Sequence, residues 1–194
     1  MWYWQLKVNK KENAIRTFKK YLSTVQNDSK IAHTIGIHEF GKKNYQETTK
    51  YLEMVSDKKL HDTKYYKTLG HSYYYIKNYK KASEYYTIVS KRKVSNNVLS
   101  EILKPLGVSL ENTGKNLDAA NAYSAFTKLP GTKDADASYK KAFLREKTDP
   151  STAQKMYTTN IKVFKNDYRN FYRLGILYSR SKSSLKKAAN MLNT

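Results

Sequence analysis

An apolar residue followed by glycine recurs along this chain at nearly constant intervals. The pairs are Ile35-Gly36, Leu69-Gly70, Leu106-Gly107 and Leu174-Gly175. The first two lie 34 residues apart, the third follows after 37, and the fourth lies 68 residues further, which is twice 34. A period of this length is typical of arrays in which each repeat is one small structural unit stacked on the next. The 194 residues have room for about five to six such units.

The unit at residues 61–95 shows the most complete pattern. Small residues stand at Gly70 and Ala82, where two antiparallel helices would approach each other closely. Large rings that would fill the space between this helix pair and the next stand at Tyr66, Tyr73, Tyr79 and Tyr86. An aromatic residue three positions before Leu-Gly, followed by further aromatics and a small alanine, resembles the tetratricopeptide repeat. The resemblance extends over almost the whole chain and is most specific in this unit.

The resemblance implies an all-α fold, a right-handed superhelical solenoid of antiparallel helix pairs. By register, a single solenoid would consist of units at residues 1–27, 28–60, 61–95, 98–131, 134–165 and 168–194. The second unit departs from the pattern, with Glu39 where an aromatic is usual and Thr48 where alanine is usual. The fifth lacks the Leu-Gly pair, although Asp149-Pro150 is typical of a helix start.

The last unit has Leu185 and Ala188 in its second helix with one residue of slippage from the register, and the chain then stops inside that helix. Solenoids normally end in a repeat with a polar outer face, and no such solvating helix is evident here. We therefore predict that the chain is a fragment of a longer array.

In this family the first helix of each pair lines a concave groove that receives peptides or partner helices, and the resemblance implies the same use here. By register, the groove candidates are Lys30, His33, Phe40, Lys64, Lys67, His71, Tyr74, Tyr75, Lys104, Arg169, Tyr172 and Arg180. Such a basic and aromatic lining would pair with carboxylates and stack on flat groups. A solvated helix face explains any single one of these residues equally well. The clamp that holds acidic chaperone tails is not recognisable, since His71 and Pro105 replace its asparagines.

The charge balance favours an anionic partner. The chain has 37 Lys and Arg against 16 Asp and Glu, a formal net charge of +21. An acidic protein, nucleic acid, anionic lipid head groups or an acidic cell-wall polymer would each satisfy that attraction, and so would mere solvation of the helix exteriors. Nucleic-acid binding is the weaker choice because the register assigns many of the tyrosines to packing rather than to base stacking.

Catalysis has little support in the sequence. The four histidines form no two-histidine metal motif, and no phosphate-binding glycine loop, nucleophile elbow or close carboxylate pair is present. His33 and His71 would face one groove from adjacent repeats, where polar lining is the ordinary explanation and titration or metal binding the alternative. We therefore predict no enzyme activity, no metal and no cofactor.

The sequence as a whole predicts a protein–protein interaction scaffold. Its partner would be an acidic peptide or segment held in the basic and aromatic groove, in support of a larger complex, and the alternative is a polyanion-binding module. Self-association through exposed ends of the array stays open. No segment reaches the ~20 apolar residues of a membrane span, and no signal peptide is evident, so we expect a soluble chain. The absence of cysteine fits the cytoplasm and a bacterial periplasm alike.

Overall fold

Polar side chains start most of the helices. Hydrogen bonds from backbone N–H groups of the first turn are accepted by the side chains of Asp28, Asp62, Asn78, Ser95, Asp134, Asp149 and Asp167. Pro150 occupies the first turn of its helix, as the Asp149-Pro150 pair predicts. These caps satisfy backbone donors that have no partner inside the helix. They also use several of the few carboxylates in the chain.

The computed structural model describes residues 2–25 and 28–180, and the side chains from residue 10 onward. These residues form ten α-helices: α1 (Trp2–Thr24), α2 (Ser29–Gly41), α3 (Tyr45–Glu53), α4 (Thr63–Tyr75), α5 (Tyr79–Ser90), α6 (Asn96–Asn112), α7 (Asn116–Thr127), α8 (Ala135–Arg145), α9 (Pro150–Val163) and α10 (Tyr168–Ser179). A short 3-10 helix, Lys58–Leu60, lies between α3 and α4. The chain divides into two compact units, Met1–Lys93 and Val94–Thr194.

Three turns between paired helices share one backbone geometry. Lys43 and Lys77 have φ of 61° and Gly114 has φ of 75°, so the left-handed conformation recurs at the same position of three successive repeats. In each turn this residue donates its N–H three positions back, and the next residue donates five positions back, to Glu39, Tyr73 or Leu110. This pair of backbone hydrogen bonds is the Schellman motif, which ends a helix by satisfying its last carbonyls. The repeat is therefore visible in the turns as well as in the helices.

Glycine permits the close approach of the helices within three pairs. A Cβ atom at Gly70 would lie 2.8 Å from the ring of Tyr86, and one at Gly107 would lie 2.7 Å from the ring of Tyr123. At Gly36 the corresponding neighbour is the side chain of Leu52, at 2.5 Å. Each large partner is fully buried. The sequence prediction that Gly70 and Ala82 allow close packing is confirmed, since Ala82 is buried as well.

The pair α8–α9 packs without a glycine. Its core contains Ala142, Ala153 and Tyr157, together with Leu174 from α10. Phe143 of the same helix is 41% exposed. A buried amide pair adds polar contacts, because Asn160 donates to the side-chain oxygen of Asn170 at 2.9 Å.

Within the described residues, the first and last predicted units each contain one helix. In the first unit, predicted at residues 1–27, the described residues form one continuous helix, α1, rather than an antiparallel pair. The predicted second helix of the last unit, with Leu185 and Ala188, lies outside the described residues.

Candidate partner-binding surface

Two first helices of the repeat lie side by side in the N-terminal unit. The rings of His33 and Tyr65 lie 6.3 Å apart, and those of Phe40 and His71 lie 6.4 Å apart. Residues near the start of α2 thus contact residues near the start of α4, and later residues contact later ones. The two helices therefore run parallel and in register. We call the candidate residues on them the first-helix surface: Lys30, His33 and Phe40 on α2, and Lys64, Lys67, His71, Tyr74 and Tyr75 on α4.

The N-terminal end of the first-helix surface is cationic. Lys30 and Lys64 occupy the first turns of α2 and α4 and are exposed, and Lys67 lies one turn further and is half-buried. The nearby carboxylates of Asp28 and Asp62 accept hydrogen bonds from backbone N–H groups of those turns. The capping carboxylates thereby offset the unfavourable placement of lysines at a helix N-terminus. The side chains of Lys30 and Lys64 remain exposed beside these caps.

The C-terminal end of the same surface is aromatic. The Phe40 ring meets Tyr45 edge-on at 6.0 Å, and Tyr45 stacks on Tyr75 at 4.4 Å. Tyr74 then makes edge contacts with Tyr75 at 5.7 Å and with Tyr79 at 6.0 Å. Tyr75 is 56% exposed, so one outer ring of this series is accessible to a partner. A supported, accessible tyrosine is a typical anchor point in protein interfaces.

The two candidate histidines have different surroundings. His33 is half-buried against Tyr65, and burial lowers the pKa of its imidazole below the ordinary value, so the ring is neutral at neutral pH. His71 lies 2.8 Å through Nδ1 from the Tyr86 hydroxyl, and it also contacts Phe40. Among the described residues no group of three histidine or acidic side chains is arranged to hold a metal ion. These histidines line the middle of the surface.

Two of the four candidates in the C-terminal unit are engaged by carboxylates. Lys104 donates to Asp134 at 2.6 Å, which ties α6 to the start of α8. Arg169 bonds Asp167 and Asp136 and stacks over the ring of Tyr139 at 4.5 Å. These ion pairs leave less of the positive charge of Lys104 and Arg169 available to a partner.

The other two candidates of this unit are more accessible. Tyr172 is 57% exposed. Arg180 is also exposed, and its guanidinium comes within 3.7 Å of Glu146. A cleft of about 680 Å³ beside the α9–α10 connection includes Arg169 among its lining residues, together with Val163, Phe164 and Tyr168.

Most of the remaining acidic side chains hold helices together. Glu53 accepts hydrogen bonds from Tyr73, Tyr85 and Lys81. Glu39, which departs from the repeat pattern, is buried and pairs with Lys19 at 3.0 Å and with Asn44 at 2.6 Å. These carboxylates therefore serve contacts between helices, and each of them engages a lysine as it does so.

Sequence reasoning missed two contributors to this region. Tyr65 is buried with its ring stacked on His61 at 4.4 Å, and its hydroxyl donates to the carbonyl of Leu52. Tyr45, at the start of α3, links Phe40 to Tyr75 in the aromatic series. The available signal was the Tyr65-Tyr66 doublet and the recurrence of Tyr45 as Tyr79, which lies 34 residues later.

Comparison with known proteins gives a fold but no sequence family. No protein-family model matches the chain, and no curated protein sequence is similar to it. Among solved structures, YrrB, a TPR protein with an unusual peptide-binding site, superposes with a TM-score of 0.66 at 15% identity, over 91% of this chain and 89% of that one. MamA superposes with a TM-score of 0.63 at 18% identity, over 85% and 88%.

A MamA fragment from Desulfovibrio magneticus RS-1 gives a TM-score of 0.59 at 16% identity, over 87% of this chain and 94% of that one. These likenesses confirm the tetratricopeptide-repeat fold that the sequence predicts. No helix in the described part of the chain combines the length and apolar character needed to cross a membrane.

Proposed function

We propose that this chain is a non-catalytic scaffold that binds a segment of a partner protein on the first-helix surface and supports assembly of a larger complex. The observation that carries the proposal is the polarity of that surface. Exposed lysines stand at one end of two parallel helices, and a supported series of aromatic rings stands at the other. The tetratricopeptide-repeat fold supports the proposal, since YrrB, which shares it, has a peptide-binding site.

The same polarity favours an acidic segment with an apolar or aromatic end. Carboxylates would meet Lys30, Lys64 and Lys67, where opposite charge raises the association rate and fixes the orientation. Apolar or flat side chains would meet Tyr74 and Tyr75 at the other end. α4 has 13 residues and is therefore about 20 Å long, which an extended segment of about six residues would span.

The C-terminal unit contributes less to this proposal. Lys104 and Arg169 are already paired with aspartates, so an acidic partner would have to displace an existing ion pair. Tyr172 and Arg180 are candidates for a partner contact within the C-terminal unit itself. We expect their removal to weaken binding less than changes on α4.

The experiment is a pulldown from lysate of the source cells with immobilised chain, at two salt concentrations, with and without nuclease. We expect protein bands that survive nuclease and moderate salt, and that are lost with the Lys64→Glu/Lys67→Glu variant. The control is Lys77→Glu/Lys80→Glu, which makes the same charge change on the α4–α5 turn and the start of α5. Thermal unfolding of both variants checks that the helices remain intact.

Two outcomes would contradict the proposal. If both variants lose the same bands equally, the attraction depends on net charge and the first-helix surface is not the site. If recovery is dominated by nucleic acid and collapses steeply with salt, the chain is a polyanion-binding module instead. A Tyr75→Ala variant adds a test without any charge change, and we expect it to weaken binding of the same bands.

A further inference from the structure

The loops that precede the first helices form one edge of the N-terminal unit. Ser29, at the start of α2, accepts hydrogen bonds from the backbone of Ser56 and Asp57, at 3.0 and 3.1 Å. Arg92, directly after α5, donates to the carbonyl of His61 at 3.0 Å, just before α4. These bonds hold the start of α2, the α3–α4 connection, the start of α4 and the segment after α5 together along one side.

This side carries a concentration of lysines, which we call the lysine edge. Its members are Lys30, Lys58, Lys59, Lys64, Lys91 and Lys93, and all six are exposed. The aspartates of the same edge, Asp28, Asp57 and Asp62, accept hydrogen bonds from backbone N–H groups as helix caps. Their carboxylates are thus directed at the backbone rather than at these ammonium groups.

The chemistry of the lysine edge differs from that of a site for one defined anion. Its arginine, Arg92, is committed to His61 and stacks over the Tyr66 ring at 4.6 Å. The nearby rings of His61, Tyr65 and Tyr66 contact one another, which leaves little aromatic surface for stacking on nucleic-acid bases. Lysine ammonium groups on flexible stems suit a broad, diffuse negative surface better than a single bidentate ligand.

An apolar side chain also stands beside this edge. Val25 follows the end of α1, three residues before the Asp28 cap of α2, and it is 41% exposed. Clusters of four to eight basic residues bind anionic lipid head groups at the surface of a bilayer, and neighbouring apolar side chains strengthen such binding.

We propose that the lysine edge binds the surface of a bilayer that contains anionic phospholipids. The contact is peripheral and electrostatic, with the ammonium groups among the head groups and Val25 at their level. The first-helix surface extends away from this edge along α2 and α4, so its aromatic end stays accessible to a protein partner. Lys30 and Lys64 belong to both surfaces, whereas Lys58, Lys59, Lys91 and Lys93 lie outside the first-helix surface. Variants of these four residues therefore test the bilayer contact separately from the proposed function.

The test is co-sedimentation of the full chain with phosphatidylcholine vesicles, with and without phosphatidylserine. We expect binding only to the phosphatidylserine vesicles, and a loss of that binding as salt is raised. Lys58→Glu/Lys59→Glu and Lys91→Glu/Lys93→Glu should each weaken the partition coefficient on the order of tenfold or more. The matched control is Lys77→Glu/Lys80→Glu, with the same charge change at the opposite ends of the helices.

Three results would overturn the proposal. Equal weakening by all three variants would mean that net charge alone attracts the vesicles. An absence of binding to phosphatidylserine vesicles at low salt would exclude the membrane contact directly. If a single-stranded oligonucleotide binds and depends on Lys58 and Lys59 while the vesicles do not bind, the edge recognises nucleic acid instead. Circular dichroism of each variant establishes that the helices are retained.

Discussion

The helix pairs α4–α5 and α8–α9 both bury a tyrosine completely, but they hold it by different means. In α4–α5 the ring of Tyr86 rests against Gly70, and its hydroxyl meets the ring nitrogen of His71. In α8–α9 no glycine faces Tyr157, and its hydroxyl donates to the buried carboxylate of Glu146 at 3.1 Å. The first pair depends on shape, and the second depends on a buried charge.

The buried charge in α8–α9 is neutralised from the next helix. Arg173 of α10 donates to both oxygens of Glu146, at 2.9 Å through Nε and 2.5 Å through Nη2. Burial of the ring, and then the neighbouring carboxylate, raise the pKa of Tyr157 well above its ordinary value. Both helix pairs therefore keep a buried tyrosine, but different contacts hold it. Different substitutions should therefore destabilise the two pairs.

The largest effect is expected from Glu146→Ala. Removal of this carboxylate leaves the Arg173 guanidinium and the Tyr157 hydroxyl without their buried partner. The Tyr157 hydroxyl is then buried without a partner, whereas the Arg173 side chain is 23% exposed and partly solvated, so the expected loss is about 2–3 kcal/mol of unfolding free energy. Urea-induced unfolding monitored by circular dichroism measures the loss.

The matched control for Glu146 is Glu111, which accepts hydrogen bonds from Tyr123 and Lys140 but has a side chain that is 29% exposed. Because solvent screens this cluster, Glu111→Ala should cost about 1 kcal/mol or less. Equal losses from the two variants would contradict the claim that α8–α9 depends on a buried charge.

The next effect is expected from Gly70→Ala, which tests shape in α4–α5. The added Cβ would lie 2.8 Å from two ring atoms of Tyr86, and that ring is fully buried. Overpacking of this kind costs about 1–3 kcal/mol, which exceeds the helix-propensity gain of about 1 kcal/mol from replacing glycine. Thermal unfolding should show a lower midpoint.

Gly41→Ala is the control for this substitution. Gly41 is the last residue of the first helix α2, whereas Gly70 lies inside α4, and a Cβ at Gly41 meets nothing within 4 Å. The variant should be neutral or slightly more stable than the parent chain. A Gly70→Ala variant that is as stable as Gly41→Ala would show that Tyr86 moves without cost, and the contrast between shape and charge would not hold.

A smaller effect concerns pH, because the exposed carboxylate of Glu53, the last residue of α3, accepts hydrogen bonds from side chains of α4 and α5. Burial alone would raise the pKa of Glu53, but hydrogen bonds from Lys81 and Tyr73 outweigh burial and hold that pKa below its ordinary value. A depressed pKa stabilises the fold above the unfolded value of about 4.3, and that contribution disappears as the pH falls through the folded pKa.

Glu53→Gln should therefore reduce the loss of stability on acidification. Its effect at neutral pH should be about 0.5 kcal/mol or less, because the carboxylate is 37% exposed and solvent screens it. Urea titrations of both proteins at several pH values from neutral to acidic measure the difference. Parallel stability curves would show that Glu53 does not contribute to acid sensitivity.

The sequence predicts packing by shape better than it predicts buried charges. The spacing of the Leu-Gly pairs predicted the helix pairs, and the burial of Tyr73 and Tyr86 followed from it. The buried roles of Glu39 and Glu146 could not be predicted, because their cationic partners Lys19 and Arg173 lie 20 and 27 residues away. With 37 basic residues, the sequence does not indicate which of them each acid will choose.

The candidate surface shows the same limit. Register placed Tyr74 and Tyr75 on α4, and the structure supports them with Tyr45 and Tyr79 from the second helices. Register also placed Lys104 and Arg169, but their pairing with Asp134 and Asp136 depends on contacts between different helix pairs. Spacing predicts which face of a helix a residue occupies, whereas the availability of its charge depends on its neighbours in the fold.

The smallest effect is expected at the turns, which differ between the two pairs. The α4–α5 turn places Lys77 at φ of 61°, whereas the α8–α9 connection, residues 146–149, contains no residue with positive φ. The left-handed conformation costs a residue with a Cβ roughly 1 kcal/mol relative to glycine, but glycine loses more backbone entropy on folding. Lys77→Gly should therefore stabilise the chain by about 0.5 kcal/mol, measured by urea unfolding.

At a helix terminus without positive φ, substitution by glycine should not stabilise the chain. Lys147→Gly, in the α8–α9 connection, relieves no strain and should be neutral or destabilising, because it only adds freedom to the unfolded chain. Gly114 already supplies glycine at the position equivalent to Lys77, with φ of 75°, and by the same balance Gly114→Lys should cost about 0.5 kcal/mol. Equal responses at Lys77 and Lys147 would mean that the recurring left-handed turn carries no strain, and that the repeats share this geometry without an energetic preference for glycine.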